Sequence, residues 1–213
     1  MNKTLRILLC CALALTVVSF AAGQALQIGH ITTGAILPPN AIYSNCGTGC
    51  TSYNTGSGYY ISGTANTDSA GQVIAVQFTS TGASITKVIE ANSQYVSPSS
   101  KVGAILLKDA SGTPGGAITG GTLTVVGSCP PATGSKPCTY KPKKALKTKK
   151  KQLIWLCQYL PKNEAAGAAL WMESNSDTTN GFSFINGSTS NGTCLKEPWI
   201  SANGATRPAF AIN

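Results

Sequence analysis

Histidine and acidic residues are scarce in this sequence, and their scarcity limits the chemistry that its side chains can perform. His30 is the only histidine, and seven carboxyl side chains are scattered over 213 residues. Histidine clusters that bind metals are therefore excluded, and a histidine general base would depend on one residue in a weakly patterned segment. No G-x-S-x-G motif and no phosphate-binding loop occurs. We expect no catalytic residue, no cofactor and no metal; a glycoside-directed enzyme with two facing carboxylates is the alternative.

Long apolar runs are almost absent as well. The exception, residues 7–20, follows Lys3 and Arg6 and precedes small residues at 21–23. This pattern predicts a secretory signal peptide over 1–23, because the run is short for a membrane span of about 20 residues and lacks a basic stop-transfer flank. No later stretch predicts a transmembrane segment. The mature protein is expected to be secreted, at the cell surface or in the periplasm, with residues 24–40 forming an N-terminal arm.

The remaining cysteines indicate disulfide bonds. Cys10 and Cys11 lie in the leader, which leaves an even number in an exported chain, a combination typical of disulfides. A zinc site is the alternative, but the paired short spacings of zinc ribbons are missing. Many pairings are possible, and loop closure favours Cys46–Cys50 and Cys129–Cys138 as short local loops, with Cys157–Cys194 closing a longer one.

Positive charge is concentrated in one stretch. Of the 16 basic residues, Lys3 and Arg6 lie in the leader, which leaves 14 against seven acidic residues. Half of those 14 lie within residues 141–151: Lys141, Lys143, Lys144, Lys147, Lys149, Lys150 and Lys151. The stretch predicts a solvated, Lys-rich hairpin loop. Binding of a polyanion is the functional alternative, without sequence-specific nucleic acid recognition, because the stretch contains no arginine and no aromatic residue.

Short alternating segments separated by Gly, Ser, Thr, Asn and Pro predict strands and turns, and no helical period appears. Residues 74, 76 and 78 are expected on one face of a strand, and 102–108 is apolar on both faces. We expect an all-β protein over 41–213, a single antiparallel β-sandwich that is jelly-roll-like, with a closed barrel as the alternative. The predicted strands are 41–44, 73–78, 85–92, 102–108, 121–126, 152–160, 168–174, 182–185 and 208–212.

Several stretches between residues 43 and 210 are similar to the bacterial exported family called choice-of-anchor R domains. These are the strand ending in AVQF at Phe78, SITKVIEAN from Ser84, VGAILLKDASGTPGG over 102–116, ALWMES over 169–174 and PAFAI over 208–212. In the third stretch, Asp109 to Gly112 predicts a type I turn and Pro114-Gly115 a type II turn. The resemblance implies a secreted β-sandwich attached by an interchangeable C-terminal sorting tail, and no defined activity. The sequence ends at Asn213 without such a tail, so free secretion or non-covalent retention is expected.

Aromatic residues are the candidates for a carbohydrate site. Flat aromatic faces on a β-sandwich stack on sugar rings, while neighbouring polar groups bind the hydroxyls. Trp155 lies in an apolar strand and is expected in the core, whereas Trp171 is equally compatible with the core and the outer face. The ligand-binding candidates are Trp171, Trp199, Tyr59, Tyr60 and Glu173.

The sequence therefore predicts a secreted, non-catalytic protein with a structural or adhesive role at the cell envelope or in the extracellular matrix. Carbohydrate binding through exposed aromatics and polyanion binding through the lysines are the alternatives. A polysaccharide or another envelope component is the expected partner, and nothing in the sequence indicates the oligomeric state.

Overall fold

A computed structural model describes residues 41–67, 71–96, 101–129, 131, 134–175, 177, 182–185, 193–195, 198–202 and 204–213, the side chains of 94–96 and 182–185 excepted. The predicted signal peptide at 1–23 and the predicted arm at 24–40, which contains His30, lie outside these residues. So do Asp68 and Glu197.

Strands dominate the described chain, and its only helical pieces are two 3-10 turns, Thr48–Cys50 and Lys162–Glu164. Chain segments with alternating apolar residues form the longer strands, as the pattern predicts. The strands are β1 Tyr43–Ser44, β2 Gly58–Ser62, β3 Val73–Thr79, β4 Val88–Val96, β5 Gly103–Asp109, β6 Pro114–Val126, β7 Ser135–Pro142, β8 Leu153–Tyr159, β9 Ala168–Met172, β10 Phe182–Ile185, β11 Ile200–Ser201 and β12 Phe210–Ile212.

All strand pairs are antiparallel, and they join into one sheet. The order β8-β5-β6-β7 is a Greek key, because three consecutive strands are followed by a fourth that returns beside the first. From β7 the sheet continues through β4 and β9 to β2, and from β8 through β3. The end of β2 then meets the start of β3, where Ser62 N–H donates to Gln72 O at 3.0 Å. The sheet is thus nearly closed, which confirms the all-β antiparallel fold; the jelly-roll order stays a prediction.

The inner face of this sheet encloses the main hydrophobic core. Ile74, Val76 and Phe78 of β3 all lie in it, which confirms their predicted common face. Trp171 and Phe210 fill the same core from β9 and β12 and contact each other edge to face, with 6.2 Å between ring centroids.

Two smaller apolar clusters cover the outer face. In the first, Ile105 and Leu107 of β5 pack with Val73, Trp155 and Cys157, so β5 is buried on both sides, as its apolar run predicts. In the second, Ile89, Met172 and Ala211 pack under the Cys46–Cys50 turn. Trp155 is fully buried, and its predicted core position is confirmed.

Three disulfide bonds form, and they are the three predicted pairs: Cys46–Cys50, Cys129–Cys138 and Cys157–Cys194. The zinc alternative is therefore wrong for these six cysteines. Such bonds are typical of oxidising compartments outside the cytoplasm. No helix in the described residues has the length and apolar character that crossing a membrane requires.

The turn between β5 and β6 differs from the prediction. Ala110 and Thr113 exchange backbone hydrogen bonds, and both central residues, Ser111 (φ 56°) and Gly112 (φ 85°), have positive φ. This is the conformation of a type I′ hairpin turn, whose twist matches that of the two strands, so the type I turn at Asp109 is wrong. Pro114 begins β6, so the type II turn at Pro114-Gly115 is also wrong.

Candidate functional site

The strongest concentration of charge on the described surface is the lysine face, which we define as the seven lysines between 141 and 151. All seven side chains are exposed. Lys141 belongs to β7, and the other six lie on the connection from β7 to β8. Because β7 pairs with β4 and β6 while β8 pairs with β3 and β5, this connection is the crossover of the Greek key. The predicted hairpin loop is therefore wrong.

The backbone of this crossover is fixed by hydrogen bonds to the connection between β3 and β4. Leu146 and Ile85 exchange backbone bonds of 2.9 and 2.8 Å, and Lys151 N–H donates to Ser80 O at 2.8 Å. Thr148 Oγ1 donates to Ala83 O at 2.6 Å. The Leu146 side chain is half-buried against the main core. The lysines therefore extend from a backbone that is held at several points.

A tight turn brings the last three lysines together. Gln152 N–H donates to Lys149 O at 3.1 Å, and Lys149 N–H donates to Gln152 Oε1 at 2.9 Å. Lys151 adopts a positive φ of 62° within this turn. Gly82 packs directly beneath, where an added Cβ would lie 3.1 Å from the backbone nitrogen of Lys150. The close approach depends on the absence of a side chain at residue 82.

No acidic side chain in the described part of the chain neutralises the lysine face. The ion pair that the described residues form lies outside the lysine face. It joins Arg207 to Asp177, with 3.5 Å between Nη1 and Oδ2, and involves none of the seven lysines. Seven like charges on a fixed backbone create a positive local field that attracts anions and weakens as salt is added.

Trp171 is fully buried, so its prediction as a ligand-binding residue is wrong. Its alternation with Leu170 and Met172 is as expected, but Trp171 takes the inner face. The register explains this, because Trp171 pairs with Tyr59 of β2 on one side and with Asn92 of β4 on the other. Its Nε1–H donates to Ala209 O at 2.9 Å, which satisfies the indole inside the core.

The other predicted ligand-binding residues do not gather on one surface. Tyr59 packs against the main core and donates from its hydroxyl to Thr206 O at 2.5 Å, whereas Trp199 packs against the cluster around Trp155. Burial and the charge of Glu173 raise the pKa of Tyr59 to about 12. Tyr60, Trp199 and Glu173 are half-buried, and every aromatic side chain that the structure describes is buried or half-buried. A flat aromatic platform for a sugar ring is not assembled by these residues.

A polar cluster lies inside the sheet, at three residues that the sequence does not distinguish as functional. Glu90 and Asn92 of β4 and Gln158 of β8 are completely buried. Gln158 Nε2–H donates to Glu90 Oε2. Burial raises the pKa of Glu90 to about 8, although hydrogen bonds from Gln158 and Asn92 oppose the shift. Burial, and then the charge of Glu90, raise the pKa of the neighbouring Tyr140.

A second polar network joins β1 to the chain before β12. Tyr43 Oη–H donates to Asp177 Oδ2 at 2.8 Å, and Arg207 Nη1–H donates to Tyr43 Oη at 3.0 Å. Arg207 also donates to the Gln77 carbonyl oxygen and lies over the rings of Tyr43 and Phe210. Its charge is thus paired, hydrogen-bonded and stacked, as a buried guanidinium requires. We interpret this network as structural.

The sequence contains a signal for the interior cluster, although a weak one. Val88, Glu90 and Asn92 are every second residue of one strand, so all three side chains belong to the same face. Whether that face is inside or outside depends on pairing with β7 and β12, which lie about 50 and 120 residues further along the chain.

Comparisons of the chain with protein-family models, with curated proteins and with solved structures find no match. The geometry of the chain itself therefore carries the functional argument.

Proposed function

We propose that this protein is an exported, non-catalytic adhesion protein that binds anionic polysaccharide through the lysine face. The observation that carries the proposal is the exposure of all seven lysines on the end of β7 and on a crossover whose residues 146–152 are held by hydrogen bonds to residues 80–85. A fixed backbone loses less conformational freedom on binding than a mobile loop does, so more of the electrostatic attraction contributes to affinity.

Several features favour a polysaccharide over nucleic acid. The segment at 141–151 has no arginine for bidentate phosphate recognition and no aromatic residue for base stacking. The leader-like segment at 1–23 and the three disulfides support a location outside the cytoplasm, where carboxylated and sulfated polysaccharides occur.

A matched pair of variants tests the proposal. One replaces four lysines of the lysine face by glutamine, and the other replaces four exposed lysines elsewhere, so both lose the same charge. The first set is Lys147, Lys149, Lys150 and Lys151; the second is Lys101, Lys108, Lys136 and Lys162. Binding to heparin and to a polyuronate is measured by titration at several salt concentrations.

We expect the first variant to bind about tenfold more weakly or worse at low salt, with a shallower dependence of affinity on salt, because fewer counterions are displaced. The second variant should stay within about twofold to threefold of the wild type. Equal losses in both variants would show that net charge alone is responsible, and tighter binding to duplex DNA than to either polysaccharide would reject the polysaccharide assignment.

A further inference from the structure

Three buried oxygen atoms in the interior cluster have no hydrogen-bond partner. They are Glu90 Oε1, Asn92 Oδ1 and Gln158 Oε1, each on a side chain with no solvent exposure. All three are acceptors, so each needs a donor or a cation. A buried carboxylate or amide oxygen left without one costs free energy, and native proteins rarely tolerate several together.

No hydrogen bond from the described residues reaches these three atoms. Two polar aromatic side chains that neighbour the cluster donate elsewhere, since Tyr140 Oη–H donates to Cys129 Sγ at 3.4 Å and Trp171 Nε1–H donates to Ala209 O. The strand partners of Glu90 and Gln158 are apolar, since Phe210 and Cys138 lie opposite Glu90 and Ala104 lies opposite Gln158, whereas Lys136, opposite Asn92, is exposed to solvent. A proton on Glu90 would satisfy one of the three oxygens and leave two.

We propose that Glu90 Oε1, Asn92 Oδ1 and Gln158 Oε1 bind one small metal cation, whose charge the Glu90 carboxylate balances. Oxygen ligands alone favour alkali and alkaline-earth ions over zinc or copper. A single carboxylate balances a singly charged ion such as Na⁺, and neutral amide oxygens replace its hydration shell as carbonyl oxygens do in ion channels.

This donor set explains why the sequence predicts no metal site. Metal sites are ordinarily recognised from groups of His, Cys, Asp and Glu, and the described residues contain no group of three or more of these. Two of the three ligands here are amides, which carry no such signal. The bound ion connects β4 to β8, two strands that are not hydrogen-bonded neighbours, across the interior of the nearly closed sheet.

The test measures the unfolding midpoint Tm of the oxidised full chain after treatment with EDTA and transfer into tetramethylammonium chloride. NaCl, KCl or CaCl₂ then replaces that salt at constant ionic strength, so screening of the lysine face does not change. We expect a saturable rise in Tm of about 5 °C at 100 times the dissociation constant, with Na⁺ as the expected ion.

Glu90→Gln should abolish the rise, whereas Glu173→Gln, at a half-buried carboxyl outside the cluster, should retain it. If Glu90→Gln does not fold, Gln158→Leu should shift the response to a higher cation concentration. Calorimetric titration of the wild type should give one ion per chain. Equal Tm values in all four salts, or a rise in Tm for Glu90→Gln equal to that of the wild type, would overturn the proposal. Glu90 would then be interpreted as a protonated carboxyl without a cation. The lysine-face variants report on the proposed function separately.

Discussion

At the scale of single residues, the buried carboxyl of Glu90 makes the stability of the folded protein depend on pH. It is fully buried, and the described residues around it include no cationic side chain in contact. Its ionised form is therefore disfavoured in the folded state unless a cation accompanies it. In the unfolded chain the same carboxyl ionises freely.

The pH dependence of stability follows from that difference. In buffers without small metal cations, the free energy of unfolding should fall as pH rises from about 4.5 to about 8, because the folded state retains a proton that the unfolded state has lost. The slope should reach at most about 1.4 kcal/mol per pH unit and then flatten. Urea unfolding at a series of pH values measures it. Glu90→Gln should remove the slope, and a wild-type protein whose stability stays constant over this range would contradict the raised pKa.

The sequence predicts the position of a residue correctly when that position depends on nearby residues, and it fails when the position depends on residues far along the chain. The three cystine pairs, two that close short loops and one that closes a longer loop, are predicted from loop closure and are confirmed. The alternation around Trp171 is predicted correctly, but the inner face is fixed by pairing with Tyr59 and Asn92, far away in the chain. Local pattern gives two faces of a strand without stating which one is buried.

At the scale of elements, the crossover between β7 and β8 decides how the lysines are presented. Leu146 is its apolar contact with the core, and the backbone pair with Ile85 places that side chain. Removing the side chain should loosen the segment while leaving every lysine in place.

We expect Leu146→Ala to lower the free energy of unfolding by about 1–2 kcal/mol, less than the cost at a fully buried leucine because the Leu146 side chain is only partly buried. Leu153→Ala is the matched control, since Leu153 is 40% exposed and should cost about 0.5 kcal/mol or less. Urea unfolding of both variants provides the measurement. Equal losses would show that Leu146 does not anchor the crossover.

The strands that the sequence predicts include those with a clear apolar alternation, such as β3, and those with a continuous apolar run, such as β5 and β8. Three strands are missed, namely β2, β7 and the two-residue β11, and the two longer ones are missed for a physical reason. Strand β2 directly follows a Gly-rich turn, and its sequence resembles a continuation of that turn. In β7, the lysines and prolines are typical of a loop. Both become strands because their neighbours supply hydrogen-bond partners, β9 for β2 and β4 and β6 for β7. Tertiary pairing overrides a weak local preference there.

At the scale of the whole molecule, the disulfides restrict the unfolded chain to different extents. The sequence separations within the pairs are 4, 9 and 37 residues. The entropy that a cross-link removes from the unfolded state grows with the length of the loop it closes.

Replacing each cystine by two alanines should therefore give a graded loss of stability. By loop length we expect about 2 kcal/mol for Cys46–Cys50, about 3 for Cys129–Cys138 and about 4 for Cys157–Cys194. Guanidinium unfolding of the three double variants measures the order. A larger loss at Cys46–Cys50 than at Cys157–Cys194 would show that packing, and not chain entropy, dominates.

The hydrogen bonds between the crossover and residues 80–85 also bear on proteolysis. A segment with seven lysines offers trypsin many cleavage sites, yet cleavage requires the backbone to leave its partners and enter the protease. Digestion there should therefore follow local unfolding more closely than side-chain exposure. The protein can therefore stay intact in the presence of trypsin-like proteases although its surface carries many of their cleavage sites.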